Sequence, residues 1–430
     1  MPSLIKIQYS LFKVFSYINQ EIGNFQILIG PNASGKSSFL DGLSFVKYLT
    51  NNTLDSVIDY LVEGDFYSLV HMRNSNGFIL AFDFAISPAH QKLLAEATDK
   101  SWYKNYKHSP DIVRYEIKIA IDDNGTLHIE HEALLLGFKE KAYDKYIPRQ
   151  VELFPNPVKP HTETLVAGKR RPGWYIIFSR KGDTVYFRSE TTNWNMPYKV
   201  GSLKLGLSAI PEDIKRFPVA ISIRDFFASS VQHVQLVSDR LRKPSPPGSP
   251  TSFKPDGSNL ARVISVLKTK HSQQYKWWLR QVKNILADVS DISVFERPED
   301  KHSYLSIQYN NGIEIPSWSL SDGTLRIIAL TLIGYLPEKR LYTIEEPENG
   351  IHPKALEGVY EVLSNMKNSQ VLLATHSPVL LRLAGPNSLL IFAKNSAGVG
   401  DVVSGTAHPL IRSIQNELDL DLLFASGVLS

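Results

Sequence analysis

The sequence contains no cysteine at all. That absence excludes disulfides, thiolate-held metals and a cysteine nucleophile, though it does not identify a compartment. Long apolar runs are missing too, and the longest, around 327–336, is too short to span a bilayer. The opening "MPSLIKIQYSLFKVF" lacks a basic stretch followed by an apolar core and cleavage site, so no signal peptide is expected and the cytoplasm is the expected compartment. Charge of one sign is scarce: 47 Lys and Arg against 43 Asp and Glu leave a net +4 over 430 residues, too mild to argue for nucleic acid. Heptads with flanking charges and internal repeats are also absent, which removes long coiled coils. What remains, 43% hydrophobic and 21% charged, is an ordinary globular composition in a chain long enough for two or three lobes.

Against that plain background, "FQILIGPNASGKSSFLDGL" at 25–43 stands out. Phe25 to Ile29 is a short apolar run with β-branched members, which predicts a buried strand. Gly30, four residues, then Gly35-Lys36-Ser37 match the phosphate-binding loop pattern. Phe39, Leu40, Leu43 and Val46 follow at helical spacing. Strand, glycine-bearing turn and helix thus come in the order such a loop requires. The segment Gly30, Asn32, Ala33, Ser34, Gly35, Lys36, Ser37 and Ser38 is expected to wrap a triphosphate with backbone N–H groups at a helix N-terminus. Lys36 is expected on the β- and γ-phosphates and Ser37 on Mg²⁺.

The middle of the chain is β-rich and aromatic. Hairpins are predicted at Asn76-Gly77, at Asn124-Gly125 and through "GWYIIFSRKGDTVYFRSE". Residues 243–257 hold five prolines and two glycines and read as a linker, with Ser258 capping a following helix. The expected division is a discontinuous unit of 1–120 with 301–430, a β-rich insertion over 121–257, and a helical segment over 258–300.

Three distal stretches complete the pattern. Leu341 to Ile344 predicts a buried strand ending in Glu345-Glu346, a place suited to a metal-holding and a water-polarising carboxylate respectively. Pro353 fits the first turn of the next helix. In "SWSLSDGTLRIIALTLIGYL", Ser321 is a candidate N-cap, with Asp322, Gly323 and Thr324 opening an apolar helix and so a second anion site. In "SQVLLATHSPVLLRL", a buried strand leads to His376, placed to sense a γ-phosphate. Each also has a plain structural reading, as a solvated turn, a simple cap and a packed histidine.

Together these motifs resemble the heads of ABC-type ATPases, a class that includes SMC proteins, and resemble most the OLD-like "AAA family" ATPases of bacteria. "GPNASGKSS" looks like Walker A, "LSDGT" like the signature, and "TIEEPENGIHP" like Walker B with its D-loop. The resemblance covers roughly the first 50 and last 130 residues. It implies an α/β P-loop NTPase fold, an ABC-type head with an antiparallel β-rich lobe and a helical insertion. It further implies ATP and Mg²⁺ as ligands and a head-to-tail homodimer, each nucleotide held by Walker A of one copy and Ser321–Thr324 of the other. Lys13 matches a basic position near the phosphates in relatives. The sequence departs at Glu345, where aspartate is commoner, and shows no convincing Q-loop glutamine.

The stretch between Lys36 and Ser321 is longer than a compact transporter ATPase places there. Too few residues follow His376 for a Toprim nuclease, and Asp419 and Asp421 read as part of an amphipathic tail. The expectation is therefore an ATPase switch read by a separate effector, a nuclease or toxin, in bacterial anti-phage defence or DNA-related surveillance. A scaffold with negligible turnover is the alternative. DNA contact is possible through Arg170, Arg171, Arg180, Arg240 and Arg242, interleaved with Trp174 and Tyr175; solvated loops are the competing reading.

Overall fold

The computed structural model describes residues 1–97, 109–139, 165–167, 173–395 and 398–408. Within them, two sheets stack on either side of one helix. The first is parallel but for its last strand and runs in the order β10 (Val231–Val234), β14 (Leu341–Glu345), β15 (Gln370–Ala374), β3 (Phe25–Ile29), β16 (Leu389–Lys394) and β17 (Gly400–Ser404). Its strands are near-continuous apolar runs because both faces are covered. Leu28 faces one core cluster, and its neighbours Ile27 and Ile29 face the other.

The second sheet is antiparallel. Its order is β2 (Phe15–Glu21), β1 (Ser3–Phe12), β4 (Gly77–Ala85), β5 (Ile112–Ile121), β6 (Leu127–Gly137), β7 (Trp174–Lys181), β8 (Thr184–Arg188) and β9 (Asn195–Lys199). Between the sheets lies the helix Lys36–Asn51, in which Phe39, Leu40, Leu43 and Val46 are all buried. Each such side chain contributes about 1.5–3 kcal/mol on burial. The Tyr9 hydroxyl of the antiparallel sheet donates to the Phe39 carbonyl at 2.8 Å. The Gln370 side-chain amide closes both hydrogen bonds of the Leu4 backbone at 2.8 Å, fastening β15 to β1. On the far side, helices Leu260–Lys270, Ser272–Ile285, Asp322–Ile333 and Pro353–Ser364 cover the parallel sheet. A three-stranded sheet of β11 (Val289–Glu296), β12 (Ser303–Tyr309) and β13 (Glu314–Pro316) leads into the third of these helices.

Several sequence expectations are corrected here. Asn76-Gly77 does not turn a hairpin: the residues before it form short 3-10 turns at Phe66–Leu69 and His71–Arg73, and Gly77 opens β4. Their apolar residues Phe66, Leu69 and Val70 bury in the core, so no partner strand forms. The turns at Asn124-Gly125 and Gly182-Asp183 do form hairpins. The boundary drawn between 120 and 121 falls within the β5–β6 hairpin of one continuous sheet. The segment 258–300 holds β11 as well as helices.

The 243–257 stretch is fastened rather than a free linker. Asn259, fully buried, donates to the carbonyls of Pro250 and Ser252 and accepts the Lys254 N–H. Asn259, not Ser258, is the N-cap residue of the following helix.

Candidate nucleotide site

The carboxyl ends of the parallel strands converge, the position where open α/β sheets place ligands. Leaving β3, the chain turns through Gly30 (φ 148°), Ala33 (φ 60°) and Gly35 (φ 113°) before Lys36 opens the helix. A Cβ on Gly30 would stand 2.2 Å from the Phe392 carbonyl oxygen, so only glycine fits between this loop and β16. A Cβ on Gly35 would meet the Phe15 ring at 2.7 Å. Pro31, Asn32, Ala33 and Ser37 face solvent, whereas the Ser34 hydroxyl is fully buried and unpartnered.

Lys36 folds back over this loop, its ammonium donating to the Gly30 carbonyl at 2.8 Å and the Pro31 carbonyl at 3.0 Å. Burial lowers its pKa, opposed by Glu345 and Glu346. The Ser37 hydroxyl donates to Glu345 at the end of β14, at 2.5 Å. A hydroxyl and a carboxylate so paired suit Mg²⁺, which takes few protein ligands and completes its shell with water and phosphate oxygens. The buried Ser34 hydroxyl and the solvent-facing loop likewise suit a phosphate.

Glu346 departs from ordinary backbone geometry: its φ is +47°, in the left-handed region that a glutamate rarely adopts. Its N–H donates to the Ala374 carbonyl at 2.8 Å, and the Asn349 amide donates to its carboxylate at 2.7 Å. His376 lies two residues beyond β15. Its ring pKa is lowered by burial first and by Lys36 second, against Glu346 and Glu348. Lys13 sits in the β1–β2 turn, whose Val14 and Phe15 pack on Gly35, but its ammonium is taken by Asp41 at 2.6 Å.

The second helix N-terminus is built as the sequence predicts. Ser321 caps the helix Asp322–Ile333 by accepting the Thr324 N–H at 3.1 Å, and its hydroxyl lies 2.7 Å from that of Thr324. A Cβ on Gly323 would meet the Gly350 carbonyl oxygen at 2.3 Å, so this first turn seats directly on the turn that follows β14. Asp322 is ion-paired to Arg242, which also donates to the Leu320 carbonyl at 3.2 Å.

A residue near Glu345 escaped sequence reasoning. β10 lies beside β14, with His233 opposite Thr343. His233 stands 3.1 Å from the Thr343 hydroxyl and 3.9 Å from the Glu345 carboxylate. Gln235 follows β10, where its N–H turns away to the Pro255 carbonyl at 3.0 Å. The pairing of β10 with β14 spans more than a hundred residues and leaves no local signal.

The proposed DNA-facing residues fare differently. Arg180 is buried, ion-paired to Glu132 at 3.2 Å, and donates to the carbonyls of Gly201 and Lys204, so it cannot reach a phosphate backbone. Arg242 is engaged by Asp322, and Arg240 is exposed. Arg170 and Arg171 lie outside the described residues, as do Asp419 and Asp421. Among the described residues, no helix is long and apolar enough to cross a membrane.

No curated protein matches the chain. Among solved structures, it is similar to "SmcHead bound to the C-winged helix domain of ScpA", at 13% identity and TM-score 0.50, covering 96% of this chain and 100% of that one. It is also similar to an Smc head with an extended coiled coil bound to the C-terminal domain of ScpA derived from Pyrococcus furiosus (13% identity, TM-score 0.49, 97% and 100% covered). The SMC head domain from Thermotoga maritima is a further match (12%, 0.44, 94% and 98%). The first of these shows an SMC-head-like fold, in keeping with the two sheets and the loop between them. A family model described as "AAA domain, putative AbiEii toxin, Type IV TA system" matches residues 25–382, most of the chain, and the protein belongs to that AAA-domain family.

Proposed function

We propose that the chain binds ATP with Mg²⁺ in a head-to-tail homodimer and hydrolyses it, and that a separate effector reads the resulting switch. The observation that carries this is the convergence of Lys36, Ser37, Glu345, Glu346 and His376 at the ends of three adjacent strands. Lys36 and the loop N–H groups hold the phosphates, and Ser37 with Glu345 holds Mg²⁺, which supplies charge neutralisation when bound. Glu346 orients and deprotonates the attacking water. His376 donates its ring N–H to a γ-phosphate oxygen or accepts a hydrogen bond from that water. His233, 3.9 Å from Glu345, stands where the sequence offered no Q-loop glutamine.

In this reading one chain supplies half of the cradle, and the capped helix N-terminus at Ser321 of a partner copy supplies the other half. The family description, with its toxin and toxin–antitoxin terms, supports a toxin–antitoxin setting for this switch. Glu346→Gln tests the reading: phosphate release should vanish while an ATP-bound dimer accumulates on size-exclusion light scattering. A nucleotide-dependent scaffold is favoured instead by the longer Glu345, already closed on Ser37; in that case wild type itself releases no phosphate and the substitution changes nothing.

A further inference from the structure

The turn between β14 and the helix Pro353–Ser364 contains a third carboxylate that neither motif reading uses. Glu348 points back toward the end of β15. One of its oxygens, Oε1, accepts both the Thr375 hydroxyl at 2.7 Å and the His376 N–H at 2.9 Å. Thr375 is fully buried; its hydroxyl in turn accepts the Ser377 N–H at 2.9 Å, and its own N–H donates to the Leu28 carbonyl in β3 at 3.1 Å. The single oxygen therefore fixes the backbone on which the His376 ring is carried.

The same short turn touches two other parts of the site. Asn349 donates to Glu346, and the Gly350 carbonyl lies so close to Gly323 that a methyl there would not fit. Ile351 closes the turn by donating to the Glu348 carbonyl at 3.0 Å. Residues 346–351 thus bind at once the candidate water-activating carboxylate, the backbone of the candidate sensor and the first turn of the signature helix.

We infer that Glu348 is a positioning residue, resting on the functional reading above. It holds His376 in register and passes the position of the chain's own signature turn to its own hydrolytic site. Glu348 exchanges no proton in this role; it acts as a hydrogen-bond acceptor. Its second oxygen, Oε2, is buried without a partner, so an amide placed there breaks no existing hydrogen bond while Oε1 is retained.

The test compares ATP turnover and ATP-driven dimerisation in three variants of the full chain. Glu348→Ala should lower kcat about tenfold to a hundredfold, as a small misplacement of a catalytic group does, with KM and dimer yield within about twofold. Glu348→Gln should restore most of kcat. His376→Ala should lower kcat at least as far as Glu348→Ala does. If His376→Ala impairs turnover and Glu348→Ala does not, the relay is overturned while the functional reading stands. If His376→Ala leaves kcat intact, the sensor reading fails and takes the relay with it. Should Glu348→Ala not fold, Thr375→Val removes one donor at nearly constant shape, and an unchanged kcat there overturns the inference.

Discussion

The two sheets of this protein treat the same charged side chains in opposite ways. The antiparallel sheet buries and saturates a set of its carboxylates and guanidinium groups. Glu132 receives the Tyr115 hydroxyl, Arg180 and the N–H groups of Gly206 and Leu207. Arg114 spans Asp83, Glu116 and Gln8. At the ends of the parallel strands, Glu345 and Glu346 are partly or fully exposed and hold one side-chain hydrogen-bond partner each, Ser37 and Asn349. A buried charge is tolerated only when its partners are complete, whereas a charge meant for a ligand keeps capacity unused. The contrast separates residues that stabilise the fold from residues free to act on a substrate.

Substitutions in the two regions should therefore fail differently. Lys36→Ala should abolish nucleotide binding in a fluorescent-analogue titration. It should shift stability by less than about 1 kcal/mol, since it removes two hydrogen bonds together with a partly desolvated ammonium. Glu132→Ala should do the reverse. Urea denaturation should show a loss of about 3–5 kcal/mol from the unpaired buried Arg180, with turnover per folded molecule unchanged. A selective loss of turnover at constant stability would erase the contrast.

A smaller effect belongs to Glu190. It is buried and accepts the N–H groups of Val219 and Ala220, and burial outweighs those two bonds to push its pKa up to about 8. The folded state then binds the proton more tightly than the unfolded chain, so unfolding releases it. Stability is highest below the ordinary carboxyl range and falls as pH rises toward 8, by up to about 1.4 kcal/mol per unit. Glu190→Gln should flatten that slope in denaturation curves between pH 5 and 8, a range roughly matching the window that linkage defines.

The smallest effect lies at the half-exposed Arg242–Asp322 pair. Asp322 favours its helix dipole but repels an incoming triphosphate, and Arg242 offsets that charge. Arg242→Ala should weaken ATP-driven dimerisation by a few-fold, about 1 kcal/mol or less for an exposed pair, and adding Asp322→Asn should reverse it. No reversal would mean that Arg242 acts by direct contact instead.

Much of the site was legible because its signals are local. An apolar run, two glycines at fixed spacing and an amphipathic helix place Lys36 and Ser37 without knowledge of the rest of the chain. Leu341–Ile344 and the cap at Ser321 were readable for the same reason. What stayed hidden depends on distant partners. Arg180 alternates on β7 like a surface residue, and only the β6–β7 pairing brings Glu132 across to bury it. His233 gains meaning from the neighbouring strand β14, and Glu348 from a backbone N–H two residues beyond β15. The turn-rich 243–257 stretch looked loose because the buried Asn259 that ties it down gives no compositional sign.

Mixing two inactive variants tests the shared cradle most directly. Lys36→Ala destroys the loop of one copy, and Ser321→Arg blocks the signature of the other. Phosphate release by each alone should be nil, and an equimolar mixture should recover part of the wild-type rate, since one intact composite site forms per mixed pair. A mixture as inactive as its components, with both chains folded, would contradict a nucleotide held between two copies.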